Sequence, residues 1–237
     1  MLAAVGWGAL AASSLVLGAL LAFARRWPRQ QIGLVLAFGA GALISAVSFE
    51  LAAEGIKAGS LRSTAIGLGL GAFTYFAADG LIEARGSGGP DGGSDAGPAL
   101  ALGAFLDGIP EQLVLGVGLA AGDGIGVGLL VAIFVSNLPE AIGSASEMER
   151  QGVRRSKILS LWGAVAVLCA LATVAGYAAA DAASGELTAA IDGFAAGALL
   201  VMLIDSMIPE ATRDAGRVAG LVTTLGFAVA TALSSVS

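Results

Sequence analysis

The chain has 237 residues, of which 57% are hydrophobic and 13% charged, with a formal net charge of −6. A soluble domain is roughly half apolar and about a quarter charged; here the apolar excess runs the whole length, which is the composition of an integral membrane protein. Twelve scattered Lys and Arg residues are too few for a nucleic-acid or other phosphate-binding surface, the absence of His removes imidazole ligands and proton relays, and a single Cys excludes a disulfide framework or thiolate cluster.

A membrane-crossing helix needs about 20 mostly apolar residues. Charged and Gly/Pro-rich breaks divide the chain into eight such segments: 2–24, 31–53, 63–84, 98–121, 124–147, 157–180, 187–210 and 215–235. The first is followed, not preceded, by basic residues (Arg25 and Arg26), the reverse of a cleaved signal peptide, so it is expected to remain as a span. The stretch 86–98, GSGGPDGGSDAGP, has the composition of a flexible linker between spans three and four. Cys169, in the apolar run of span six, reads as a small buried residue.

The breaks after spans one, three, five and seven hold ten of the twelve Lys and Arg residues, whereas the other side has only Lys57 and Arg62. The positive-inside rule then makes the odd-numbered breaks cytoplasmic and puts both termini outside the cell's inner membrane. Residues 1–237 read as a single transmembrane domain.

Two internal repeats stand out. FGAGAL at 38–43 matches FAAGAL at 194–199 in five of six places at an offset of 156, which also carries Glu54 onto Glu210. These segments fall in spans two and seven, which run in opposite directions. LDGIPE at 106–111 and VSNLPE at 135–140 form a second pair in the antiparallel neighbours four and five. The predicted fold is an all-α membrane protein of eight helices, with an inverted repeat relating spans 1–3 to spans 6–8 around the central pair 4–5. Inverted repeats around interrupted helices are a recurring plan of secondary transporters, with the substrate site near the midplane.

The acids of that central pair are the candidate site. Asp107 lies about nine residues into span four, roughly 14 Å at 1.5 Å per residue, near the middle of a hydrocarbon core of about 30 Å. Glu111 follows one turn later on the same face, and Ser136 and Glu140 repeat the spacing in span five. Ionised acids at that depth cost at least about 2.5–3.5 kcal/mol each on insertion scales. A divalent cation offsets this directly, and proton uptake would do so when the cation leaves. Pro110 and Pro139 cannot donate to the carbonyls of Leu106 and Val135, leaving two bare oxygens one turn before the glutamates. Ser136, Glu140, Ser144 and Glu147 share one helical face, a polar track toward the cytoplasm. Glu50, Glu54, Asp79 and Glu83 read as charges near helix ends; Asp205, the deepest outside the central pair, and Glu210 are further pathway candidates.

The Pro-Glu motifs of spans four and five resemble those of the ZIP (Zrt/Irt-like) metal transporters, whose span four carries His-Asn-x-Pro-Glu-Gly and whose span five is closely similar. Eight spans with both ends outside, a variable linker after span three and IPEA at 208–211 fit the same family. The resemblance implies a divalent-metal site halfway across, with the first motif's His, Asn and Glu falling on Asp107, Gly108 and Glu111 and the second's on Ser136, Asn137 and Glu140. Both histidines are thus replaced by oxygen donors, the glycine ending each motif is Gln112 or Ala141, and the acid that many relatives place in span six is absent between Ile158 and Ala180. The implied ligands are Asp107, Glu111, Ser136, Asn137 and Glu140, an oxygen-rich set with weaker preference for zinc.

The expected function is secondary transport of a divalent cation (zinc, cadmium, manganese, iron or cobalt as substrate) toward the cytoplasm, with no organic cofactor, no nucleic-acid partner and no enzymatic activity. By analogy, spans 1, 4, 5 and 6 would move against spans 2, 3, 7 and 8. The alternative is a non-transporting metal sensor or scaffold of the same fold. IGLGLG at 66–71 is suited to close packing within one chain or between the two copies of a homodimer.

Overall fold

A computed structural model of the chain describes residues 1–86, 96–121, 127–181 and 183–235, the side chains at 82–83, 85–86, 96–107, 121 and 127 excepted. Most of the expected linker lies outside the described residues. Among those described, eight helices follow in order: α1 (Leu2–Ala24), α2 (Arg29–Ala58), α3 (Leu61–Gly86), α4 (Ala96–Ala121), α5 (Val127–Arg150), α6 (Arg155–Asp181), α7 (Gly185–Ala215) and α8 (Val218–Ser234). Each contains one expected apolar segment or most of it. Five of them (α1, α2, α5, α6 and α7) are long and apolar enough to cross a membrane, and α8 and the stretch Gly108–Ala120 of α4 are shorter apolar helices.

Local chemistry explains the breaks. Pro28 forces the residue before it out of the helical region, and Arg25 is already extended where α1 ends (φ −159°). Gly152 and Gly216 take positive φ of 83° and 64°, a conformation open to glycine at little cost, and make the turns after α5 and α7.

Helices α2 and α7 share an irregularity that the sequence does not announce. Each contains a π-helical stretch, Ala46–Ala52 in α2 and Leu203–Met207 in α7. The backbone on either side stays in the right-handed helical region, so each helix continues through with one locally widened turn. The two stretches coincide at the offset of 156 that relates FGAGAL to FAAGAL.

The helices sort into two groups by their closest contacts. In one, α4 packs on α6 and α1 packs on both α5 and α6; in the other, α3 packs on α7 and α2 packs on α7 and α8. Between the groups, contact runs mainly through α2–α5, with smaller areas at α4–α7 and α5–α8. The buried apolar residues separate in a related way. One cluster, built on Leu15, Ala141, Met148, Ile158, Trp162 and Cys169, belongs to α1, α5 and α6. The larger one joins α2, α7 and α8 to the facing sides of α4 and α5.

Within each group the helices meet backbone to backbone at glycines, as small residues allow in lipid. A Cβ added at Gly71 would run into the carbonyl of Phe194, one at Gly197 into that of Leu68, one at Gly226 into that of Phe38, and one at Gly116 into that of Thr173. A hydrogen bond between the Ser45 and Thr231 hydroxyls (2.8 Å) also ties α2 to α8. Alanine normally gains up to about 1 kcal/mol over glycine in a helix. At Gly71 we expect the reverse: Gly71→Ala lowers the melting temperature of the detergent-solubilised protein by an overpacking cost of about 1–3 kcal/mol. Gly69→Ala, where the added Cβ meets nothing within 4 Å, leaves it unchanged or slightly raised.

Candidate functional site

Helices α4 and α5 each carry a buried proline, Pro110 and Pro139, inside the helix. One residue after each comes a glutamate. Glu111 is 1% exposed, and Ser136, 1% exposed, faces it from α5. The Ser136 hydroxyl lies 2.9 Å from Glu111 Oε1, to which it donates, and also 3.0 Å from the carbonyl oxygen of Ile133. The α5 backbone can approach α2 here because Gly39 has no side chain: a Cβ there would meet the Ser136 backbone and crowd the Met207 methyl.

Glu111 and Ser136 open onto a small pocket that is also lined by Leu36 of α2, Glu140 of α5 and Met202, Ser206, Met207 and Glu210 of α7. Its walls therefore come from both helix groups. Its volume is about 10 Å³ open to the centre of a water-sized sphere, room for a single water or small ion. Three carboxylates, two hydroxyls and two thioethers line that space. Glu210 is half-buried and also lies 3.4 Å from Arg213 at the end of α7.

The other expected residues are distributed as follows. Asp107 belongs to α4, and its side chain lies outside the described residues. Asn137 is buried at 1% with its Nδ2 lacking a hydrogen-bond partner, but it does not line the pocket. Ser144 is half-buried one turn beyond Glu140. Glu147 is engaged at the helix end by Arg150 (2.8 Å). Asp205 is exposed and does not line the pocket, whereas Ser206 and Met207 of the same π-helical stretch do. Of the acids read as helix-end charges, Glu50 accepts a hydrogen bond from Ser234 of α8 and Glu54 pairs with Lys57 at 2.6 Å; the Glu83 side chain lies outside the described residues. Among the described residues, no three His, Cys, Asp or Glu side chains already converge closely enough to grip a metal ion.

Helix α6 supports the site from behind. Gln112, fully buried, accepts a hydrogen bond at 2.5 Å from Thr173, which couples α4 to α6 and turns Gln112 away from Glu111. Cys169, also fully buried, lies within electrostatic reach of Glu111 and Glu140. A Cβ at Gly108 would come within 2.7 Å of its sulfur, so a larger residue there would require the Cys169 side chain to move. The sequence marks Ser206, Met202, Met207 and Thr173 as nothing more than parts of apolar helices. The offset from Glu54 to Glu210, the IPEA stretch at 208–211 and the acids Asp205 and Glu210 are what point toward this part of α7.

Removing the Ser136 hydroxyl leaves a buried carboxylate oxygen without that donor, which costs on the order of 1–3 kcal/mol. Ser136→Ala is expected to lower thermal stability in detergent by that amount, while Ser144→Ala, half-buried and one turn past the pocket, stays close to wild type.

The family model described as "ZIP Zinc transporter" matches residues 92–234, which include α4, α5 and α7. A curated protein of Arabidopsis thaliana named "Putative zinc transporter At3g08650" is 31% identical over 206 residues, covering 84% of this chain. The match covers 33% of that relative's own length.

Proposed function

Since the chain belongs to the ZIP zinc transporter family, we propose that it is a secondary transporter carrying a divalent transition-metal cation toward the cytoplasm, through a mid-membrane site of Asp107, Glu111, Ser136, Asn137 and Glu140. The protein is a multi-pass membrane protein of a metal-transport family. The observation that carries the finer reading is the pocket itself: a carboxylate 1% exposed, bonded to a serine hydroxyl, beside two further carboxylates, at the seam between two helix groups.

The chemistry follows from charge. Glutamates sharing so small a space repel one another, and each is costly to keep ionised away from water. A cation entering the pocket removes both penalties, and protons can replace it on departure. Carboxylate and hydroxyl oxygens suit manganese, iron(II) and cobalt, whereas the thioethers of Met202 and Met207 add softer donors that suit cadmium; zinc accepts carboxylate ligands too. The relative's name favours zinc as the substrate. Ser206 and Glu210 join the site from the opposing group, and Ser144 and Glu147 continue it along α5 toward the arginine-rich end.

Alternating access requires the pocket to open first to one side and then to the other. The two groups, α1/α4/α5/α6 and α2/α3/α7/α8, are suitable rigid bodies because each is locked internally by backbone-close contacts. The shared offset of the two π-helical stretches, and the correspondence of α3–α7 packing with α8–α2 and of α4–α6 with α5–α1, support an inverted repeat of eight spans. On this reading both termini are extracytoplasmic.

Uptake of Zn²⁺, Cd²⁺, Mn²⁺, Fe²⁺ and Co²⁺ into proteoliposomes tests the proposal. Wild type is expected to accumulate at least one of them, with Glu111→Ala and Glu140→Ala reduced at least tenfold and Glu210→Ala reduced less. Folded wild type that moves none of these metals would sink the proposal and leave a sensor or scaffold.

A further inference from the structure

The sequence offers twelve basic residues scattered along the chain, too dilute for a phosphate-binding surface, yet the fold gathers four of them around one cavity. At the end of the bundle where α1 and α5 finish and α6 begins, a cavity of about 800 Å³ is lined by Ala22, Phe23, Arg25, Arg26, Trp27, Ser146, Glu149, Arg150 and Arg155. Four arginines against one glutamate give its lining a formal charge of +3.

Helix-end electrostatics accounts for part of this. Arg25, Arg26 and Arg150 sit at helix C-termini, where cations are favoured. Arg150 pairs with Glu147, and Arg155 pairs with Glu149 at 2.6 Å while lying over the Phe23 ring. Arg25 stacks on Trp27 at 4.0 Å and donates to Gln31 at 2.6 Å. Trp27 is itself fixed by its indole N–H, which donates to the carbonyl of Leu21 at 2.8 Å. Arg26 has no ion pair among the described residues. Arg155, by contrast, stands at a helix N-terminus, where the dipole disfavours a cation and welcomes an anion. The result is a preorganised, net-positive cavity with an aromatic wall at the membrane boundary, the level at which Trp is favoured.

Guanidinium groups lining one cavity offer donors that match the oxygens of a phosphate, which they can bind in pairs. We propose that this cavity binds a phosphate oxyanion, either the headgroup of an anionic membrane lipid or free phosphate of the same chemistry. Below the arginines, Leu17, Leu20 and Leu21 of α1 face outward, giving the acyl chains of a lipid an apolar surface beside the headgroup. The cavity joins α1, α5 and α6, helices of one group, so an occupant would brace that group at its arginine-rich end. The site is separate from the carboxylate pocket and does not depend on what that pocket carries.

Native mass spectrometry of the full chain in neutral detergent tests this, with phosphatidylglycerol, phosphatidylcholine and inorganic phosphate titrated separately. We expect phosphatidylglycerol to bind at least tenfold more tightly than phosphatidylcholine. Each arginine near the membrane surface contributes about fivefold, so the pair R25Q/R26Q should weaken that binding by more than tenfold, and Arg217→Gln, at the same end but outside the cavity, should not. Inorganic phosphate binding with the same sensitivity to R25Q/R26Q would identify free phosphate as the source. Arg155→Gln provides a second variant should the double substitution disturb folding, which circular dichroism would reveal. Equal affinity for the two lipids with no phosphate binding, or binding indifferent to R25Q/R26Q and to Arg155→Gln, would overturn the proposal.

Discussion

Keeping a carboxylate inside a membrane helix bundle is the constraint around which this molecule is arranged. Glu111 is nearly inaccessible, and a charge at that depth costs several kcal/mol unless something answers it. The Ser136 hydroxyl answers part of it, at 2.9 Å. Glu140 and Glu210 line the same pocket, and on the proposed reading a proton or a metal ion supplies positive charge there. A pocket open to only one water-sized sphere leaves little room for a hydrated ion, so on the proposed reading the cation must exchange water for these oxygens on entering. That demand is met only where walls can part and close, and the carboxylates lie at the seam between the two helix groups.

The packing on the two sides of that seam differs in kind. Within each group, glycines let backbones touch, as at Gly71–Phe194 and Gly226–Phe38, and such contacts tolerate little sliding. Across the seam, beside the carboxylates, the filling is Leu36, Met202 and Met207. Methionine is unbranched and adapts to irregular gaps, so this part of the interface can repack when helices shift. The seam holds a backbone-close contact of its own, Gly39 against Ser136, so what can adapt there is the methionine filling around it.

Much of this was legible in the sequence because membrane solvation imposes a coarse rule: apolar runs of the right length, punctuated by charge, became helices close to the expected ends. The Pro-Glu pairs were legible because acids are so rarely buried in apolar runs that two with the same spacing stand out. The π-helical stretches were not. Nothing in AVSFELA or LIDSM distinguishes a turn closed by i→i+5 bonds from an ordinary one, and in that stretch Ser206 and Met207, not Asp205, line the pocket. A face assigned by regular 3.6-residue periodicity fails beyond such a point. The role of α6 was equally hidden, since Cys169 and Thr173 look like unremarkable members of an apolar helix until the fold sets them against α4.

Those α6 contacts also make physical sense of how the first motif departs from the family pattern. The position expected to hold an Asn is Gly108, and the sulfur of Cys169 occupies the space its Cβ would need. The position expected to hold Gly is Gln112, whose amide oxygen is taken by Thr173. The two differences act on the same interface: the smaller residue lets α4 approach α6, and the larger one fastens it there with a buried hydrogen bond. Glu111 lies directly before the fastened residue, so its direction is set by α4 being held in that register. The two departures from the motif are thus linked through one helix pair, with contacts on α6 at both positions and Glu111 between them lining the pocket.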